Sequence, residues 1–128
     1  MPVVLDASAV LALLFDEPGA DKVRERIQGG ILGTTNLAEI TAKLSDKGIP
    51  VDDAARAVAM LGVEVVPFTE AHAHASSRMR LTTRPAGLSL GDRACLALAL
   101  TRGLPALTAE RRWPEFAEVV GVAIEVIR

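Results

Sequence analysis

Tyrosine is missing from this 128-residue sequence, and its only aromatics besides histidine are Phe15, Phe68, Phe116 and Trp113. Hydrophobic residues nevertheless make up 50% of the chain, so the core must be built from Ala, Val, Leu and Ile. Cys95 stands alone, which excludes an intramolecular disulfide and a cysteine-based zinc site; within Ala94-Cys95-Leu96-Ala97-Leu98 it reads as a small buried hydrophobe. An excess of positive charge is also missing. The formal net charge is −2 and the pI about 5.7, so no global basic field recruits nucleic acid. No apolar run is long: the amino-terminal one is broken at Asp6 and ended by Asp16-Glu17-Pro18-Gly19. It lacks a basic lead-in and is too short to span a bilayer, which points to a cytoplasmic protein without membrane attachment. Internal repeats, low-complexity tracts and linkers are absent. At 13.5 kDa the chain reads as one domain over residues 1–128, large enough to bury a core. Its mean hydropathy of +0.32 is high for its size, which suggests that a partner or second copy covers some of its aliphatic surface.

The chain alternates strand and helix signals. Val3-Val4-Leu5 predicts a short buried strand, followed by a helix from Ala7 to Phe15 that is apolar on every side. Val23 and Ile27 give Ala20 to Gln28 one apolar face, and Gly29-Gly30 closes it. Ile31 to Thr35 reads as a connection, extended at most. Helices are expected from Asn36 to Asp46 and from Asp52 to Leu61, then a strand over Val63–Phe68. Thr69 opens a helix through Leu81, Arg84–Leu88 forms a loop, and Ser89 opens an apolar helix from Leu90 to Thr101. Pro105–Thr108 is a further strand. Trp113-Pro114 leads to a brief helical piece at Glu115–Val119, and Val122–Ile127 is a last strand, placed at an edge by Glu125. This order predicts an α/β fold: a three-layer α/β/α domain with a short, mainly parallel central sheet and right-handed crossovers.

In such folds ligands bind at the carboxyl edge of the strands, and Asp6 sits where the first strand hands over to its helix. It is equally a good helix N-cap. Asp92 lies three residues after Ser89, a spacing that fits a capping box, yet Cys95, Leu96 and Ala99 share its helical face. A carboxylate pointing along a buried face is costly without a partner, and its helix starts on the same rim as Asp6. Glu110 follows the Pro105–Thr108 strand and reaches the same edge, with the Thr108 hydroxyl beside it. Glu39 fits a capping box with Asn36 and an i,i+4 pair with Lys43, and periodicity sets it opposite Leu37 and Leu44, exposed or in an open groove. Four carboxylates on one edge, with Ser8, Asn36 and Thr108 as hydroxyl and amide companions, repel one another unless a hard divalent cation neutralises them. All-oxygen ligation suits Mg²⁺ or Mn²⁺, which serve phosphodiester hydrolysis by activated water. His72 and His74 lie on different helical faces and read as surface or partly buried residues. Arginines crowd the second half of the chain, whereas no lysine follows Lys47.

Four stretches in order, Val3-Val4-Leu5-Asp6-Ala7-Ser8-Ala9, Asn36-Leu37-Ala38-Glu39, Leu90-Gly91-Asp92-Arg93-Ala94-Cys95-Leu96-Ala97 and Leu107-Thr108-Ala109-Glu110-Arg111-Arg112-Trp113, resemble the motifs of PIN-domain ribonucleases. Among these, the VapC-type toxins of bacterial toxin–antitoxin pairs are the most similar kind, and the resemblance covers essentially the whole chain. It implies a metal-dependent endoribonuclease, a homodimer, and a cognate antitoxin that occupies the site. It also implies that Asp6, Glu39 and Asp92 are metal ligands, supported by Ser8 and Asn36. The family's usual fourth acid is Asp, where this chain has Glu110. Arg93, Arg111 and Arg112 are candidates for RNA phosphate contacts. Two other readings stand beside this one. A response-regulator-like phosphoacceptor domain would need adjacent acids after the first strand and a late lysine, which the sequence lacks. A PIN domain acting as a non-catalytic interaction module would not need its carboxylates.

Overall fold

A computed structural model describes all residues, Met1 to Arg128. Five short strands form one sheet: β1 (Val4–Leu5), β2 (Ile31–Gly33), β3 (Glu64–Val66), β4 (Ala106–Thr108) and β5 (Ile124–Val126). Their order is β3-β2-β1-β4-β5 and every pairing is parallel. The helices are α1 (Ala7–Leu14), α2 (Ala20–Arg26), α3 (Thr34–Asp46), α4 (Val51–Ala59), α5 (Glu70–Thr83), α6 (Leu90–Arg102) and α7 (Ala117–Val120). The expected α/β/α sandwich is therefore present, with a sheet that is parallel throughout.

Alternation along the strands makes the two cores. Val3, Leu5, Leu32 and Leu107 point to one face and pack with Val10, Ile40 and Val58 of α1, α3 and α4. Val4, Ile31 and Ala106 point to the other face and pack with Met79 and Leu96 of α5 and α6, and with Trp113. The three central strands, β1, β2 and β4, are buried on both sides, which is why β1 reads as an unbroken apolar run. β5 pairs only with β4 and lies at an edge, as Glu125 suggested. That carboxylate is held by Arg26.

The structure corrects two boundaries. Ile31 to Gly33 is not a connection but strand β2, pairing with both β1 and β3. Two apolar residues and a glycine carry no periodicity of their own, so only the flanking strands make the segment a strand. α3 begins at Thr34, not Asn36, with Gly33 as a backbone cap and no side-chain cap. Asn36 therefore lies inside the first turn and does not form the expected capping box with Glu39.

Chain direction across the sheet reverses at β1. The first half builds outward through β2 to β3, and the second half returns to the opposite side of β1 through β4. The crevice at the carboxyl ends of β1 and β4 is thus the topological switch point, where open α/β sheets bind ligands. Asp6 and Thr108 stand at that point. None of the helices is long and apolar enough to cross a membrane.

Candidate active site

Asp6 occupies the N-cap position of α1, with φ −74° and ψ 150°, but its side chain does not cap the helix. The carboxylate turns instead toward two hydroxyls. Ser8 Oγ donates to Oδ2 at 2.6 Å and Thr108 Oγ1 donates to the same oxygen at 2.9 Å. Each hydroxyl is oriented in turn by a backbone amide: Ala109 N–H donates to Ser8 Oγ at 3.0 Å, and Glu110 N–H to Thr108 Oγ1 at 3.0 Å. Because the hydroxyls accept from backbone, their protons are left to point at Asp6. Oδ2 is fully engaged and Oδ1 makes no hydrogen bond.

Asp6 is only 3% exposed, and burial raises its pKa from 3.8 to about 7. The Ser8 and Thr108 hydrogen bonds oppose that rise, while the negative charges of Asp92 and Glu39 add to it. Glu39 shifts in the same direction, through partial burial first and the charge of Asp92 second. These three carboxylates therefore sense one another across a shared space. They line one open pocket of about 360 Å³ together with Ser8 and Glu110.

Asp92 keeps both roles the sequence allowed it. Ser89 N–H donates to Asp92 Oδ2 at 3.0 Å and Asp92 N–H to Ser89 Oγ at 3.1 Å, a complete capping box. The side chain is half-buried and also lines the pocket, so the cap fixes where the carboxylate stands. Glu39 is half-buried rather than exposed. Asn36 Nδ2 donates to Glu39 Oε1 at 3.1 Å and to the Gly91 carbonyl at 3.1 Å, tying α3 to α6. Two acceptors around Nδ2 fix the amide orientation and leave Asn36 Oδ1 buried without a partner. Glu110 is exposed at the rim.

Sequence reasoning missed several residues of the pocket. Glu17 and Arg128 line it, 3.6 Å apart, and so does Lys43, expected only as a surface partner of Glu39. Asp16 closes α1 in a left-handed conformation, φ 52°, and this turn carries Glu17 to the pocket. The arginines expected at phosphates stand outside this acidic pocket. Arg93 is 7% exposed and donates from Nη1 to the Ser76 carbonyl at 3.1 Å, because α6 is enclosed on nearly every side. Arg112 pairs with Glu115 at 3.0 Å, and Arg111 Nε donates to the Arg128 carbonyl at 3.3 Å. None of the three lines the acidic pocket. Cys95 is buried, with its thiol pushed well above its usual pKa by burial, and neither histidine reaches the site.

No three acidic, histidine or cysteine side chains converge tightly enough to form a ready-made metal cage. The donor set still fits a small hard cation. Mg²⁺ is commonly held by one or two carboxylates and completes its shell with water. Asp6 Oδ1 is a free carboxylate oxygen, and the mutual repulsion of Asp6, Glu39 and Asp92 is what a cation would relieve. Thiolate or imidazole ligation has no donor here.

The PIN domain family model matches residues 3–119. No curated protein is similar in sequence at a significant level. Among solved structures, a toxin–antitoxin complex from Klebsiella pneumoniae aligns with a TM-score of 0.73 at 18% identity, covering 94% of this chain and 95% of that one. DNA-bound VapBC from Salmonella typhimurium aligns at 0.72 and 16% identity, covering 100% and 99%. VapBC2 from Rickettsia felis, bound to a fragment of its promoter DNA, aligns at 0.71 and 14% identity over the whole of both chains. At these identities the likeness is one of fold.

Proposed function

Because the chain belongs to the PIN domain family, we propose that its acidic pocket is the active site of a divalent-cation-dependent endoribonuclease, the toxin of a toxin–antitoxin pair. The observation that carries this reading is Asp6: a desolvated carboxylate at the switch point of the sheet, with one oxygen clamped and the other free beside Glu39 and Asp92. Such a group is costly to bury for structure alone. A bound Mg²⁺ or Mn²⁺ would neutralise the carboxylates, lower the pKa of a water molecule and bear charge on the phosphodiester. Asp6, Asp92 and Glu39 would hold the ion, while Ser8 and Thr108 orient Asp6 and Asn36 orients Glu39. Glu110, exposed at the rim, would direct the attacking water. Lys43 and Arg128 supply positive charge at the mouth of an otherwise acidic pocket.

The pathway context rests on the structural relatives, whose names describe toxin–antitoxin complexes. By that likeness a cognate antitoxin is the partner. From the resemblance of the motifs we infer further that the antitoxin covers the site, that the toxin forms a homodimer and that it acts on cytoplasmic RNA. Exposed Met60, Leu81, Leu90 and Val119 provide apolar surface for such contacts. Membership of the PIN family displaces the phosphoacceptor reading.

The purified protein should cleave labelled single-stranded RNA with Mg²⁺ or Mn²⁺ and stop on addition of EDTA. Cleavage that persists in EDTA would overturn the metal mechanism, and no cleavage with either ion would leave the interaction-module reading in its place. Glu110→Asp is expected to preserve or raise the rate, since a directing carboxylate at the rim tolerates a shorter arm. A loss as complete as that of an Asp6 substitution would show that Glu110 is itself an essential ligand.

A further inference from the structure

A second polar pocket lies around the corner of α6 from the acidic one. It measures about 230 Å³ and is lined by Arg80, Thr83, Arg84, Gly87, Leu88 and Arg93. Three guanidinium groups share it with no carboxylate. Elsewhere Arg24, Arg56 and Arg112 are each paired to an acid one turn away, whereas Arg80, Arg84 and Arg93 have no acidic partner. Arg93 is the informative member. It is only 7% exposed, yet its one side-chain hydrogen bond is from Nη1 to the Ser76 carbonyl at 3.1 Å. That bond fixes the guanidinium plane and leaves most of its five donors unused. No unbonded Arg93 nitrogen is sealed from solvent, so its free donors open to the pocket, where two further arginines add positive charge and draw in an anion.

The anion's identity follows from the pocket's neighbour. Asp92 lines the acidic pocket and Arg93, the next residue, lines the basic one, so adjacent positions of α6 face the two. Guanidinium forks match phosphate oxygens in pairs, and a single RNA strand offers a phosphate at every nucleotide. We propose that the Arg80–Arg84–Arg93 pocket binds a backbone phosphate of the RNA, close along the strand to the phosphodiester positioned at the acidic pocket. This rests on the nuclease reading for the identity of the strand, but its anion chemistry stands on the three arginines. It also resolves how a chain of net charge −2 holds a polyanion: the positive charge is local and unpaired.

The test is fluorescence anisotropy with a labelled, mixed-sequence single-stranded RNA in EDTA, across a range of KCl concentrations. Arg80→Ala with Arg84→Ala removes two exposed side chains and leaves Arg93 in place. The double variant should bind about 5–30-fold more weakly. Its slope of log affinity against log salt should flatten by about 0.7 for each phosphate that is no longer neutralised. Arg80→Lys with Arg84→Lys should recover most of the slope, and circular-dichroism melts of all forms should coincide. Unchanged affinity and slope in the Ala variant, or no RNA binding by the wild type, would overturn the proposal. So would a loss confined to an acidic peptide probe such as oligoglutamate. Cleavage is measured separately: arginine-dependent binding without any metal-dependent cleavage would remove the nuclease reading and keep the phosphate site, whereas cleavage with arginine-independent binding would do the reverse.

Discussion

Asp6→Asn is expected to abolish metal-dependent RNA cleavage and, in the same protein, to raise stability at neutral pH. Losing a direct ligand to a catalytic cation should lower the rate by about 10³-fold or more, several kcal/mol of transition-state stabilisation. Asp92→Asn should be similarly inactive. The gain in stability at position 6 has a separate cause. An Asn carbonyl oxygen can accept from Ser8 and Thr108 as Asp6 Oδ2 does, so the hydrogen bonds survive while the desolvated charge is removed.

The pH dependence gives this expectation a sign. Well below pH 3.8 the Asp6 carboxyl is protonated in folded and unfolded chains alike, and the folded state bears no penalty. Between pH 3.8 and about 7 the folded protein retains the proton that the unfolded chain has released, so stability falls as pH rises. Above pH 7 both states are ionised and the loss is complete, on the order of 4 kcal/mol for a shift of this size. Most of that interval lies above pH 5. In EDTA, the stability advantage of Asp6→Asn over wild type should therefore widen by roughly 2–3 kcal/mol between pH 5 and pH 8, about 6–12 °C in Tm. Millimolar Mg²⁺ should raise the wild-type Tm at pH 8 and leave the variant unmoved, since a ligand stabilises only a state that binds it. A variant that cleaves RNA at the wild-type rate, or whose advantage is the same at both pH values, would refute the role assigned to Asp6.

What the sequence made legible follows from how locally each feature is encoded. Asp6 is placed by a strand and a helix that adjoin it, and Asp92 by a capping box four residues long, so the sequence brings both to this edge. β2 was missed because Ile31-Leu32-Gly33 becomes a strand only by lying between β1 and β3. Glu17 and Arg128 reach the pocket through a left-handed turn and through the chain end that follows β5; neither has a neighbouring motif to mark it. Arg93 was a candidate for an RNA phosphate contact, and its enclosure went unread because arginine is seldom buried. It is enclosed because α6 packs against the sheet, α3 and α5 together, a fact of tertiary arrangement that the helix's own periodicity does not encode. Gly91 did leave a local signal, since glycine inside a helix costs stability relative to alanine and implies a packing reason.

That reason yields the second large effect. Gly91 sits in the first turn of α6 against the carboxylate of Glu39, and its own carbonyl accepts from Asn36. A Cβ at position 91 would collide with Glu39 Oε1 and come within 2.5 Å of Glu39 Cδ. The obstructing group is the far end of a flexible side chain, so Gly91→Ala should fold, with Glu39 rotated out of the pocket. Helix propensity favours the substitution by about 0.5–1 kcal/mol, which offsets part or all of the broken Asn36–Glu39 hydrogen bond. Tm should thus stay level or fall slightly while cleavage falls about 10–100-fold, the range typical when the positioning of a metal ligand is disturbed. Pairing Gly91→Ala with Glu39→Asp separates displacement from damage: the shorter acid clears the new methyl group and should restore part of the rate. If Gly91→Ala cleaves RNA as fast as wild type, Glu39 does not act from the position it holds. If it loses activity only in proportion to lost folding, the glycine serves packing alone. A stable, inactive Gly91→Ala that Glu39→Asp partly rescues would tie the close approach of α3 and α6 to the chemistry at Asp6.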